Sequence, residues 1–150
     1  MNYRSNSNKF FLCKVATQEM QENGLEKKVV RTYAIEALTW SEAEARITEE
    51  LAPYGEFEIK DIRPASYSEV FICESPNHNV LWYSVKLEFI TIEEHTGKEK
   101  RIAHSILFPS ESLDSANKNV DVIMRESMLI YEKKEIKDSN IFDVIEYQKA

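Results

Sequence analysis

A chain of 150 residues has the length of one ordinary domain, and a chain of this size buries about 70% of the surface its unfolded form exposes, so no disulfide framework or metal staple is needed to hold a fold. Hydrophobic residues at 43%, charged residues at 30%, and only 3 Gly and 4 Pro exclude a low-complexity or linker-rich chain. The net charge of −7 argues against a protein that coats duplex DNA by bulk charge, while leaving room for a basic groove on an acidic body.

In chain order, residues 1–9 read as a flexible polar arm, because their Asn/Ser run has neither an apolar period nor the arginine-rich or apolar core of a targeting signal. From Phe10 the pattern becomes strand-like. Phe11, Cys13 and Val15 form one alternating face, and Phe10 and Lys14 form the other. Asn23-Gly24 supplies the positive-φ position of a tight hairpin, and a second strand carrying Lys28, Arg31 and Thr32 follows. Thr39 with Glu42, and Ser41 with Glu44, are helix-capping signals ahead of Ala43, Ile47 and Leu51 at helical spacing, and Pro53 to Gly55 ends that helix. A further strand covers Phe57 to Arg63.

The same order returns about 73 residues later. Trp82 to Leu87 matches Phe10 to Val15, Thr96-Gly97 matches Asn23-Gly24, and Ser112 to Ala116 matches Thr39 to Ala43. Tyr131 to Lys137 matches Phe57 to Arg63, continuing to Asp143-Val144-Ile145 against Glu69-Val70-Phe71. Ser112 or Asp114 caps a helix with the apolar stripe Ala116, Val120, Ile123 and Met124, ending near Ser127. The expected fold is therefore α+β: one domain over 10–150, built of two tandem duplicated ββαβ units (10–72 and 82–146) with an antiparallel sheet, two helices and a pseudo-two-fold relation.

On the second face of the strands, each copy carries an aromatic followed four residues later by a lysine, with a further cation on the next strand. The constellations are Phe10, Lys14 and Lys28, and Trp82, Lys86 and Arg101. Such rings are often covered by a helix or a subunit interface, and strand lysines often serve only to blunt an edge. The functional alternative is a pair of nucleic-acid-binding patches, in which bases stack on the aromatics and the cations track phosphates. His104 falls on the core-facing side of its strand, with Arg31 as its counterpart, and the ordinary explanation is a satisfied internal hydrogen bond.

Catalytic and cofactor signals are missing. His78, His95 and His104 have no HxH, HExxH or cysteine partner at ligand spacing, and three glycines leave no phosphate-cradling loop. The expectation is no enzyme activity, no cofactor and no metal. Cys13 and Cys73 sit in strand-like contexts that suit a reducing compartment. No apolar run approaches the roughly 20 residues of a membrane span, so no membrane association is expected.

The segment Phe11 to Tyr67, with Cys13-Lys14-Val15, the run Glu22 to Val29, the run Ser41 to Ile47 and Tyr67-Ser68-Glu69, resembles a family of short proteins of unknown function common in gut Bacteroidota and their tailed phages. The resemblance implies a cytoplasmic protein of a bacterial host cell, with a role in replication, recombination or countering host defence. The expected function is a non-enzymatic binding protein for single-stranded nucleic acid. The alternatives are a sequestration protein for a small cyclic-nucleotide-like ligand, or a scaffold or inhibitor that binds protein through an uncovered sheet face. Self-association is compatible with each.

Overall fold

The computed structural model describes residues 3–74 and 80–147, so His78 lies outside the described residues. In chain order its elements are β1 (Tyr3–Asn6), β2 (Phe10–Met20), β3 (Glu26–Glu36), α1 (Trp40–Leu51), a 3-10 turn (Ala52–Tyr54), β4 (Phe57–Pro64), β5 (Glu69–Cys73), β6 (Leu81–Ile92), β7 (Glu99–Ser110), α2 (Leu113–Glu126), β8 (Tyr131–Asp138) and β9 (Ile141–Ile145). The protein is mixed α+β, with two sheets and two helices.

The chain divides into two compact units, Asn8–Ala65 with Ile141–Ala150, and Met1–Ser7 with Ser66–Asn140. In the first unit the strand order is β4-β2-β3-β9. The hairpin of β2 and β3 pairs antiparallel from Phe10↔Glu36 to Met20↔Glu26. Gly24, at φ 82°, closes the turn in a region that costs a residue with a Cβ about 1 kcal/mol or more. Thr39 caps α1 by accepting a hydrogen bond from the Glu42 amide at 3.1 Å, while Glu42 accepts one from the Leu38 amide at 3.0 Å. The helix then lays Ala43, Ile47 and Leu51 on Phe11, Cys13, Val15, Tyr33 and Ile35. Burial of each large aliphatic in this layer contributes about 1.5–3 kcal/mol. Burial, helped by nearby Asp61, pushes the Cys13 thiol up to about 11, which makes it an inert core residue.

In the second unit the order is β1-β5-β7-β6-β8. Ser112 caps α2 by accepting from the Ser115 amide at 3.1 Å, and Ala116, Val120 and Met124 pack on Tyr83, Val85, Leu87, Ile106 and Phe108. Gly97, at φ 69°, turns the β6–β7 hairpin. A β-bulge lies between Lys86 and Leu87 where β6 meets β8, and another between Lys14 and Val15 where β2 meets β4.

Two features differ from the expected antiparallel sheet and polar arm. Both sheets are mixed: β5 runs parallel to β7, and β9 runs parallel to β3. Thus β5, which follows β4 in the chain, pairs within the sheet of β6, β7 and β8, and β9, which follows β8, pairs within the sheet of β2, β3 and β4. Residues 3–6, expected within the flexible arm of 1–9, form β1, which pairs antiparallel with β5 from Tyr3↔Cys73 to Asn6↔Val70. Backbone pairing recruits this strand despite its polar composition, and Tyr3 anchors it. The Tyr3 ring lies 4.7 Å from that of Phe108, and its hydroxyl accepts from Asn119 at 3.2 Å.

Candidate ligand pocket

The strand registers set out the two aromatic-cation constellations in the same way. Lys14 lies four residues beyond Phe10, and Lys28 stands opposite Gln18, four further on; in the other unit Arg101 stands opposite Ile90, four residues beyond Lys86. Each set thus occupies one strand face at steps of about 13 Å. The rings themselves, however, are enclosed: Phe10 is 3% exposed and Trp82 is 7% exposed. A base needs a free ring face, so the stacking half of the expected patches is not offered to solvent. Alternation shows which residues share a face; it does not show whether that face is covered.

The cations divide into two groups. Lys86 lies 3.6 Å from Glu135, and Arg101 binds Glu132 at 2.6 Å and Glu88 at 3.2 Å, bonds that raise its already high pKa further. These carboxylates compete with any phosphate. Lys14 and Lys28 are exposed, and Lys28 flanks a shallow depression of about 270 Å³ together with Gln18, Glu56 and Phe57.

A larger pocket of about 600 Å³ opens in the unit of Asn8–Ala65 and Ile141–Ala150. The far half of β2 contributes Thr17 and Glu19, β3 contributes Arg31 and Tyr33, the end of α1 and the turn after it contribute Glu50, Leu51, Tyr54 and Gly55, and β9 contributes Phe142 and Asp143. Gly55, at φ 111°, turns the chain away from the helix so that Glu56 and Phe57 also line the cavity.

Arg31 organises this pocket. Its guanidinium donates to Glu19 and lies over the Phe142 ring, 4.3 Å from the centroid. Phe142 meets Tyr33 edge to face, with centroids 5.6 Å apart. Burial raises the Tyr33 hydroxyl above its ordinary pKa, against the opposing pull of Arg31. Asp143 reaches solvent, yet the surrounding protein desolvates it and raises its carboxyl pKa, partly offset by the Val144 amide, which donates to it at 2.8 Å. Glu26, Glu50 and Glu56 complete an acidic rim. Sequence reading singled out Arg31 but not Phe142, Tyr33, Tyr54 or Asp143. Only Tyr33, two positions along the same strand face, carried a local signal.

His104, the counterpart of Arg31, is also partnered. Its Nε2 lies 2.7 Å from Glu69 Oε1, and its ring is 4.8 Å from that of Phe89. Among the described residues, no group of three or more His, Cys, Asp or Glu stands placed to hold a metal ion, and no helix is long and apolar enough to cross a membrane.

These features define an α+β protein of two helix-covered mixed sheets, with an acid-rimmed aromatic pocket in one unit. The chain belongs to the family described as Domain of unknown function (DUF4494), whose profile matches residues 9–147. No curated protein and no solved structure matches it.

Proposed function

We propose that the protein is a non-enzymatic binding protein that takes up a small molecule in the pocket between β2, β3, the end of α1 and β9. The observation that carries this reading is the convergence of Tyr33, Tyr54, Phe57, Phe142 and Arg31 on a cavity of about 600 Å³. Small-molecule sites have volumes of about 300–1,000 Å³, with mostly apolar walls and a few placed polar groups. Stacking of single-stranded nucleic acid needs open rings, and the burial of Phe10 and Trp82 favours the small-molecule alternative over it.

The shared order of β2-β3-α1-β4 and β6-β7-α2-β8 supports a tandem duplication of a ββαβ unit. On this reading one copy has kept an open pocket. The setting we propose is the cytoplasm of a bacterial cell carrying a phage or mobile element, where sequestration of a host metabolite has a use.

Native mass spectrometry of protein purified from the cells that naturally make it tests the reading. The wild type is expected to carry a small-molecule adduct that Thr17→Trp, which fills the cavity from β2, removes. A wild type without an adduct, or an adduct that survives Thr17→Trp in a folded variant, overturns it.

A further inference from the structure

We propose that the pocket selects an organic cation bearing two or more ammonium groups on an alkyl chain, a polyamine in chemical class. The inference rests on the small-molecule reading above and adds the chemistry of the ligand.

The lining holds five carboxylates, Glu19, Glu26, Glu50, Glu56 and Asp143, and one cation, Arg31. Arg31 is neutralised by Glu19. Among the described residues, none of the other four has an ion-pair partner, so the lining carries a net negative charge toward whatever enters. Their placement is spread. Glu26 begins β3, Glu50 and Glu56 flank the turn after α1, and Asp143 sits on β9. A single point charge satisfies one of these sides, whereas a chain with several ammonium groups reaches more than one. Such a chain also brings methylenes for the apolar walls of Leu51, Phe57 and Ile145.

The rings favour the same class. A cation over an aromatic face gains about 0.5–1 kcal/mol when exposed and about 2 when desolvated. Arg31 over Phe142 is this interaction already made inside the protein. Tyr54, which is 84% exposed, supplies a further open ring at the same cavity, while the enclosed Tyr33 backs Phe142 edge to face. An anionic ligand such as a cyclic dinucleotide meets the opposite field, which removes that candidate from the small-molecule alternative.

Isothermal titration of the full chain with spermidine at low salt is the test, with cyclic di-AMP as the anionic comparison. Wild-type protein is expected to bind spermidine and not cyclic di-AMP. Glu56→Gln with Asp143→Asn should weaken spermidine binding at least about tenfold, while Glu44→Gln with Glu49→Gln, on α1 but outside the pocket, should leave it unchanged. A melting temperature close to wild type shows that the variants are folded; the single substitution Glu56→Gln, at an exposed position, serves where the double variant is unstable. Equal weakening by both pairs reveals unspecific attraction to an acidic protein and overturns the proposal, as does binding of cyclic di-AMP in place of spermidine. Absence of spermidine binding overturns the ligand class alone, since the adduct removed by Thr17→Trp decides the pocket reading independently.

Discussion

The guanidinium of Arg31 lies 4.3 Å from the centroid of the Phe142 ring, which ties the middle of β3 to the last strand of the chain. Phe142 is 54% exposed, so the contact acts near the surface and contributes about 0.5–1 kcal/mol. Phe142→Ala is expected to lower the stability of the unit of Asn8–Ala65 and Ile141–Ala150 by about 1 kcal/mol in urea denaturation. Phe142→Tyr, which keeps a ring face, should cost less than half as much.

Removal of β9 has a larger and more local consequence. A chain ending at Asn140 leaves β3 without its parallel partner from Thr32 to Ile35. In hydrogen exchange the β3 amides that face β9 should lose protection, while those that face β2 keep it. Uniform protection along β3 in the truncated chain would show that the parallel pairing is not made.

Trp82 and Lys86 lie four residues apart on β6 but belong to different environments. Trp82 is 7% exposed, and truncation of a buried large aromatic to alanine costs about 3–5 kcal/mol. Trp82→Ala should therefore unfold its unit at markedly lower denaturant. Lys86 meets Glu135 across a solvent-exposed 3.6 Å gap, and Lys86→Ala should leave the midpoint nearly unchanged. A Trp82→Ala variant of wild-type stability would restore the ring to the surface and with it the nucleic-acid reading.

Asp121 on α2 gives the second unit a pH dependence. Burial would raise its carboxyl pKa, but hydrogen bonds from Lys133 at 2.9 Å and Tyr131 at 2.8 Å outweigh burial and hold it below the usual carboxylate value. Because the folded value is depressed, the contribution is present above the unfolded aspartate pKa and is lost as pH falls through the folded one. Asp121→Asn should cost about 1–3 kcal/mol at neutral pH. The cost should shrink toward zero in acid, read from denaturation midpoints across the pH range. A cost that stays constant into acid would assign the effect to packing alone.

Local chemistry was legible in the sequence. Of the capping residues the sequence offered, Thr39 rather than Ser41 and Ser112 rather than Asp114 cap the helices, Gly24 and Gly97 sit in the hairpin turns, and Phe11, Cys13 and Val15 form a core face as their alternation implied. Long-range backbone pairing was not. The parallel pairing of β5 with β7 and of β9 with β3, and the pairing of Tyr3–Asn6 with β5, rest on amide-to-carbonyl bonds that impose no side-chain period. The pocket was hidden for the same reason, since Phe142 reaches Arg31 only once β9 has docked on β3. Phe10 and Trp82 were assigned to the correct strands and faces, but no periodicity reports whether a face is covered.

The most direct test of the central claim is the map of backbone amide shifts in isotope-labelled wild-type protein as spermidine is added. The account predicts the largest changes at Arg31, Tyr33, the stretch from Tyr54 to Phe57, and Phe142 to Ile145, which surround one cavity. Changes centred on Lys14, Lys28, Lys86 and Arg101, or scattered evenly over the acidic surface, would contradict it.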